Sequence, residues 1–381
     1  MDFTFDEAQT DIAALTRDVV ARSMDAAHQN TLDDLPHRID KPLMEALVAA
    51  DVWAASVPTE HGGSGLSILH DCSIAIELGR ALAAVPFTTS ASTCAGLLVS
   101  YAADQRIRTL GTDAALGRCI LAPATAEDLM EGNDRPTVTA TATDDGWTVT
   151  GTKVTVPFGE VADAFLVTVR CDDSDRVLVI ARTEPGVRVT PVIATGSDCA
   201  AQLDLDNVVV PTDAALSAPG MVDLVGLLRE RSTVLACAVQ LGVLERSLEL
   251  VSEYAAERRQ FGRPIGSFQA VAQRLADAYI DVAAARSTLW RAAWTLGDTG
   301  DHATNRHELS MAISTAKFWA AEAGHRTAHT HVHVHGGVGI DTSHIAHRYF
   351  LAAKHGEFVL GHATASLIEL GRELVSGGST G

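Results

Sequence analysis

Two short segments carry residue types suited to holding an anionic ligand. Residues 257–269 read Glu-Arg-Arg-Gln-Phe-Gly-Arg-Pro-Ile-Gly-Ser-Phe-Gln and stand at the joint of two long helical patterns. An arginine there can pair with a phosphate through two parallel hydrogen bonds. Residues 335–339 read His-Gly-Gly-Val-Gly, and a glycine pair lets a backbone approach such a ligand closely. Together the segments predict an anion-binding surface.

A run of histidines at positions 325, 329, 331, 333 and 335 suggests metal binding as a different chemistry. His325 and His329 are predicted to share a helix face, whereas the last three recur with a period of two. We therefore expect no single regular element to gather all five. A carboxylate pattern that would orient metal-bound imidazoles is also missing. We predict no metal site and interpret the histidines as core and interface residues.

Composition bounds the class of protein. The chain has 381 residues, which allows a large core and more than one structural unit. Its formal charge of −19 argues against nucleic-acid or anionic-membrane binding. It has neither a membrane-length apolar run nor a signal-peptide start. Its six scattered cysteines form no CxxC pair, so we predict free thiols and a cytoplasmic location.

Three regions with different apolar periodicity follow one another along the chain. The elements that they predict must position these residues. Apolar spacing is helical from about residue 5 to 110, and β-rich runs separated by turn residues follow from about 118 to 215. The helical period then returns in four long segments, predicted at 221–256, 267–297, 307–335 and 343–375. We predict an N-terminal helical domain, a middle antiparallel β domain and a C-terminal helical bundle, with bounds at 1–115, 116–217 and 218–381.

This order and its motifs resemble the acyl-CoA dehydrogenase family over essentially the whole chain. Each motif is weak alone, but the order and spacing are specific: Pro58–Gly65, Gly146–Lys153, Leu203–Pro211, Arg258–Gln269 and His335–Gly339. The resemblance implies an α+β, mainly α fold with a β-barrel-like middle domain and a C-terminal four-helix bundle. It also implies FAD and an acyl-CoA thioester substrate. In that family a carboxylate removes the α-proton while the β-hydrogen leaves as hydride to the flavin.

The resemblance assigns the anion-binding surface to the FAD of a neighbouring subunit. Arg258 would pair with the pyrophosphate, Gln269 would bind it or adjoining groups, and Phe261 and Ile265 would contact the adenine half. His333 stands where the family often has Gln. The full set carried over is Arg258, Gln260, Phe261, Ile265, Phe268, Gln269, His333, Gly336 and Gly337. The alternative interpretation is a helix-end ion pair at Arg258 and an ordinary glycine turn.

The catalytic Glu of the family is missing from both of its usual positions. Aligning the segment around Arg348 with the family puts Leu360 at one position. Counting about seven helical turns back from Arg258 puts Ser232 at the other. Neither side chain can act as the base, so we predict no catalytic residue. Glu357 and Glu230 lie nearby, but we expect solvated or ion-paired carboxylates there.

The flavin-ring site also departs from the family pattern. A loop that usually reads Thr-Glu-Pro-x-x-Gly-Ser-Asp is replaced at 122–132 by Ala-Pro-Ala-Thr-Ala-Glu-Asp-Leu-Met-Glu-Gly. After Lys153, Thr155 replaces an aromatic residue that packs on the flavin ring. Pro157 replaces a hydroxyl residue and lacks a backbone N–H. We predict that the chain's own ring site is lost.

One retained half-site beside a lost ring site resembles the non-catalytic β subunits of actinobacterial α2β2 acyl-CoA dehydrogenases. The matching segments are 241–246, 266–277, 331–342 and 347–354. This implies a homologous catalytic α subunit, a shared FAD, and a cholesterol-derived steroid side-chain CoA thioester bound mainly by the partner. Two alternatives stay open: a self-sufficient homo-oligomer with Glu357 or Glu230 as base, and a non-enzymatic acyl-CoA-binding scaffold.

Overall fold

The chain folds into helices, then a sheet, then helices again. The computed structural model describes residues 5–23, 26–35, 37–128, 135–172, 174–196, 199–218, 222–297 and 306–377. Its contacts define two compact units. One comprises Met1–Ala26, Cys72–Ala83 and Thr233–Gly381, and the other Ala27–Asp71 and Ala84–Ser232. The predicted mainly α fold is confirmed, whereas the three domain bounds stay a prediction.

Short helices make up the first region, and aspartates begin two of them. Asp40 accepts a hydrogen bond from the backbone N–H of Leu43, and Asp104 accepts from Arg106 and Ile107. Such caps satisfy amides that have no partner inside the helix. The region contains a π-helical stretch at Phe87–Ala95 and the helices α1 (Glu7–Ser23), α2 (Ala26–Asp33), α3 (Lys41–Ala49), α4 (Ile68–Arg80), α5 (Gly96–Tyr101) and α6 (Gln105–Ala115).

The middle sheet contains the strands β1 (Leu121–Ala124), β2 (Thr139–Thr143), β3 (Gly146–Val156), β4 (Ala164–Arg170), β5 (Asp175–Ala181), β6 (Val187–Ile193) and β7 (Cys199–Pro211). Its main path is β1-β4-β2-β3-β7-β6, and β5 pairs with β4. The predicted antiparallel arrangement is wrong for two pairings, because β1 and β2 each run parallel to β4. The β2–β3 hairpin separates β1 from β4 along the chain, and it supplies the connection that parallel strands need.

Long helices dominate the last region. Contacts of Gln240 show how closely these helices pack. Its Nε2 donates to Ala353 O at 2.9 Å, and a Cβ added at Gly356 would lie 2.0 Å from its Oε1. None of the described helices is both long and apolar enough to cross a bilayer. The helices are α7 (Leu224–Glu257), α8 (Gln269–Gly297), α9 (Arg306–His335), α10 (Ile345–Phe358) and α11 (Ala363–Gly377).

The single helix predicted at 343–375 is wrong, because the structure has α10 and α11 there. The break lies at residues 359–362, where Leu360 has φ 55° and Gly361 has φ 108°. A left-handed glycine after the last turn is a common way to end a helix. Leu360, the residue at the expected base position, therefore lies in a turn.

Candidate functional site

A two-residue hairpin connects α7 to α8. Its strands are β8 (Arg259–Gln260) and β9 (Arg263–Pro264). Between them Phe261 and Gly262 have φ values of 51° and 82°, the left-handed pair that a type I′ turn requires. A left-handed backbone costs a non-glycine residue about 1–2 kcal/mol. The predicted Phe-Gly turn is therefore a strained turn at a hairpin tip.

Apolar packing brings the two predicted binding segments together. Val251 and Ala255 of α7 share one buried cluster with Val334 of α9, and Ile265 and Val271 pack against it. The Tyr254 ring on α7 stacks on the ring of His335 with centroids 4.4 Å apart. The hairpin and the glycine turn after α9 therefore lie on neighbouring elements, as the motifs predicted.

Arg258 lies just beyond the end of α7 and is exposed. Its backbone N–H donates to Tyr254 O at 2.8 Å, but within the described residues its guanidinium forms no ion pair. The alternative interpretation as a helix-end ion pair therefore has no carboxylate to support it. Gln260, Gln269 and His333 are exposed as well.

The aromatic ring at the hairpin tip contacts a neighbouring ring but is exposed to solvent. Phe261 is 92% exposed, and its ring meets that of Phe268 edge-on with centroids 6.1 Å apart. The guanidinium of Arg263 lies 4.1 Å from the centroid of Phe268. Ile265 is partly buried in the cluster below. The exposed Phe261 ring and the unpaired guanidinium of Arg258 belong to the same joint between α7 and α8. This pair of groups suits a ligand that joins phosphate to an aromatic base.

The two glycines after α9 differ in what requires them. Gly336 has φ 63°, so its own turn explains the absence of a side chain. Gly337 has no left-handed φ, and a Cβ added there would meet no atom within 4 Å. Packing inside this chain therefore does not require glycine at 337. Close approach of an external phosphate-bearing group does explain it. These residues fit the FAD half-site that the motifs imply.

The flavin-ring positions lie at the end of β3, an interior strand of the sheet. Thr155 is exposed with φ 46°, within an irregular stretch of β3 between Lys153 and Val156. Pro157 follows the strand and is half-buried. Of the segment 122–132, residues 129–132 lie outside the described part of the chain. Neither Thr155 nor Pro157 offers an aromatic platform.

A buried ion pair below β3 was not predicted. Lys153 is fully buried, pairs with the Glu127 carboxylate and donates to Thr168 Oγ1 at 2.8 Å. Thr137 also donates to that carboxylate. Burial lowers the pKa of Lys153 to about 8, although Glu127 opposes the shift. The only sequence signal was a lysine inside a β-rich run of Thr and Val. Its partner could not be identified from the sequence, because Glu127 lies 26 residues away.

Neither expected base position holds a carboxylate. Leu360 is 37% exposed in the turn after α10. Ser232 lies on α7 and its hydroxyl donates to Leu228 O at 2.7 Å, one helical turn back. A hydroxyl engaged with its own helix and an alkyl side chain cannot remove an α-proton.

Two carboxylates lie near the expected base positions, and the structure shows the surroundings of each. Glu357 pairs with the Lys354 ammonium group, and its other oxygen lies 3.3 Å from His325 Nδ1. Glu230 is partly buried on α7, two residues before Ser232. An ion-paired Glu357 is what the sequence favoured over a displaced base.

The histidine prediction needs correction, because α9 extends to His335 and carries all five histidines. The period of two predicted for the last three is therefore wrong. His331 and His335 are buried, whereas the other three form an exposed row at i, i+4 and i+8: His325, His329 and His333. Among the described residues, no three His, Cys, Asp or Glu side chains are grouped to hold a metal ion.

The chain is similar to known proteins over almost its whole length. Residues 223–374 match the family described as acyl-CoA dehydrogenase, C-terminal domain, and residues 6–114 match its N-terminal domain. Acyl-CoA dehydrogenase FadE27 of Mycobacterium tuberculosis is 44% identical over 377 residues, which cover 98% of this chain and 99% of that protein.

Two solved structures are similar over the whole chain. The ChsE4–ChsE5 complex from Mycobacterium tuberculosis contains a chain with a TM-score of 0.92 and 42% identity, covering 98% of this chain and 99% of that one. A steroid ACAD named Tcur3481–Tcur3483 gives a TM-score of 0.90 at 30% identity, with coverage of 98% and 99%. The first name describes a complex of two proteins, and the second joins two protein designations.

Proposed function

The chain belongs to the acyl-CoA dehydrogenase family, and on that premise we propose that it is the non-catalytic subunit of a heteromeric, FAD-dependent enzyme. One contrast carries the proposal. The half-site around Arg258 keeps its residue types and is exposed, whereas the base positions hold Leu360 and Ser232. A chain built this way can hold part of a flavin for another subunit but cannot begin the reaction.

FAD supplies the hydride acceptor when it is bound, and this chain supplies contacts to the other end of the cofactor. Arg258 provides a charge for the pyrophosphate and Gln269 a hydrogen-bonding amide. Gly336 and Gly337 leave the backbone open to approach, and Phe261 offers an aromatic surface. The catalytic Glu and the flavin-ring pocket would come from a homologous α subunit in an α2β2 assembly. The ChsE4–ChsE5 complex supports a heteromeric partner for the proposed assembly.

The proposed substrate is a steroid side-chain CoA thioester, dehydrogenated between its α and β carbons and bound mainly by the partner. The support is the steroid ACAD that is 30% identical over almost the whole chain. We also place the protein in the cytoplasm. All six cysteines are free thiols, which fits a reducing compartment.

The experiment is a flavin count. The chain is expressed alone and together with a homologous catalytic subunit, and FAD is measured by absorbance and by mass after release. We expect one FAD per heterodimer and none in the isolated chain. Stoichiometric FAD and dehydrogenase activity in the isolated chain would refute the proposal.

A variant pair addresses the displaced-base alternative. Glu357→Gln is expected to leave the kcat of the complex within twofold, because that carboxylate already pairs with Lys354 and His325. Glu373→Gln, at an exposed ion pair with His307, is the matched control. A hundredfold loss of kcat in Glu357→Gln alone would instead identify Glu357 as the base.

A further inference from the structure

The first half of α8 presents an apolar face to solvent. Tyr279 and Ile280 are 68% and 62% exposed. The alanines at positions 272, 276 and 283 are exposed too, and with these two residues they follow the i, i+4, i+7, i+8, i+11 spacing of one helix face. Large apolar side chains in such a stripe are typical of a face that another protein surface covers.

Beside this stripe lies a groove between α8 and α9 with a volume of about 530 Å³. Unlike the stripe, its lining is rich in charge. The charged and imidazole groups in it are Arg274, Asp277, Asp281, His325, Arg326 and His329. The groove therefore suits polar or charged groups of a partner as well as apolar ones.

Asp281 in the groove has an unmet hydrogen-bonding need. The residue is 5% exposed, and its Oδ1 lies 2.9 Å from Arg326 Nη2. Its Oδ2 is buried and accepts no hydrogen bond within the described part of the chain. Burial raises the pKa of Asp281, although Arg326 opposes the shift. A buried acceptor without a donor costs about 1–3 kcal/mol, so a donor from outside would be favoured.

The charge balance around Asp281 indicates which kind of donor fits. Arg326 is shared, because its Nε also lies 3.6 Å from Glu322. Asp277, one turn before Asp281, forms no ion pair among the described residues. Asp277 and Asp281 line the groove with Arg274 and Arg326, and Glu322 outside the lining also pairs with Arg326. The carboxylates in and beside the groove therefore outnumber the guanidinium groups by one. Burial lowers the pKa of His329, which disfavours a positive charge on that ring. The groove has room for one more cation.

The groove lies within about one to two helical turns of the proposed FAD half-site along both helices. His325 and His329 line it, and His333, the next member of their exposed row on α9, belongs to the half-site. On α8, Arg274 follows the half-site residue Gln269 by little more than one helical turn. A second chain that brings FAD to Arg258 must therefore cover the adjoining surface.

We propose that the α8 stripe and the α8–α9 groove form the docking face for the flavin-bearing subunit, with an arginine or lysine of that subunit reaching Asp281 Oδ2. The inference rests on the proposed function and names the surface by which the two chains recognise each other. The apolar stripe supplies buried area, and the buried carboxylate supplies selectivity, since a partner without a basic group there would leave it unpaired.

Two pairs of variants test this face. Ile280→Glu is compared with Val375→Glu, which puts the same charge on α11 at a residue that is 78% exposed. Asp281→Asn is compared with Glu308→Gln, near the start of α9 and about 27 Å along that helix from Arg326. The dissociation constant is measured by titrating the chain with the purified catalytic subunit at two salt concentrations. Melting temperatures of the isolated variants show whether each one folds.

We expect Ile280→Glu and Asp281→Asn to weaken binding at least tenfold, with a smaller salt dependence for Asp281→Asn. Val375→Glu and Glu308→Gln should stay within twofold. Unchanged affinity in a folded Ile280→Glu variant would overturn the docking face. So would a dimer of the chain alone that this variant dissolves.

FAD counted in the same samples separates the two proposals. A wild-type pair that holds one FAD while Ile280→Glu binds normally refutes only the docking face. A wild-type mixture that forms no pair, or a pair without FAD, refutes the proposed function itself.

Discussion

Lys153 and Arg258 are both cationic residues of motifs that the sequence singled out, yet they stand in opposite surroundings. Lys153 is fully buried, and Glu127 and Thr168 satisfy its ammonium group. Arg258 is exposed, and its guanidinium has no ion-pair partner in the described chain. A motif residue satisfied from within supports the fold, whereas one left unsatisfied at the surface is available to a ligand. The same contrast separates buried His331 from exposed His333 on α9.

The largest effect is expected at the buried pair. Lys153→Ala leaves the Glu127 carboxylate buried without its cation and should lower the free energy of unfolding by about 3–5 kcal/mol. The charge-free double variant Lys153→Met/Glu127→Leu should recover most of that loss. Urea unfolding measures both. A loss below about 1 kcal/mol for Lys153→Ala would show that the pair contributes little to the fold.

The next largest effect is expected in the pH dependence of stability, through a buried histidine of α9. Burial and the neighbouring His335 lower the pKa of His331 from 6.5 to about 4. Between these values the unfolded chain binds more protons, so stability is fully present above pH 6.5 and falls as the pH drops toward 4. The loss should reach about 3 kcal/mol. His331→Asn should flatten this pH dependence and exposed His333→Asn should not, as urea unfolding across the window will show. Equal slopes in all three proteins would contradict the assignment.

Arg258→Ala should weaken FAD binding by the heteromeric complex about tenfold to a hundredfold, which corresponds to about 1.5–3 kcal/mol for lost charge-assisted hydrogen bonds. The melting temperature of the isolated chain should not change, because Arg258 forms no ion pair in the described structure. Arg259→Ala, at the next exposed arginine, is the control. Flavin fluorescence on dilution gives the affinity, and equal effects of the two variants would remove Arg258 from the half-site.

The smallest effect is expected at Gly337. An added Cβ meets no atom of this chain within 4 Å at either Gly337 or Gly371. Gly337→Ala should therefore keep the wild-type melting temperature. Gly371→Ala, in the interior of α11, should keep or slightly raise it, because alanine favours a helix. Only Gly337→Ala should weaken FAD binding, by a few-fold, since only there must a ligand approach the backbone. If flavin affinity is the same in both variants, the close approach at 337 is wrong.

The sequence predicted what depends on local pattern. Helical and β-rich periodicity placed the regions, and the motif from Arg258 to Gln269 lies at the joint of α7 and α8, as its sequence predicted. Gly361 was a visible signal for the break between α10 and α11, but the apolar spacing on both sides continued through it. A period of two in the last histidines was misleading, since a helix with 3.6 residues per turn also alternates buried and exposed positions over short runs.

Pairings that join distant parts of the chain could not be read in advance. The parallel pairing of β1 with β4 depends on the path taken by the hairpin between them. Lys153 gave no indication that its partner was Glu127. The groove at Asp281 exists only because α8 and α9 pack side by side, so no spacing within either helix predicts it.

The exposed hairpin tip also affects the steady-state abundance of this chain in a cell. Phe261, in its left-handed conformation and 92% exposed, together with the α8 stripe, leaves an unassembled copy with aromatic surface in water. Such surface promotes aggregation and is what chaperones and proteases act on in orphan subunits. In the proposed heteromeric assembly, surplus copies should therefore turn over faster than assembled ones, and the level of this chain should follow the supply of the proposed catalytic subunit.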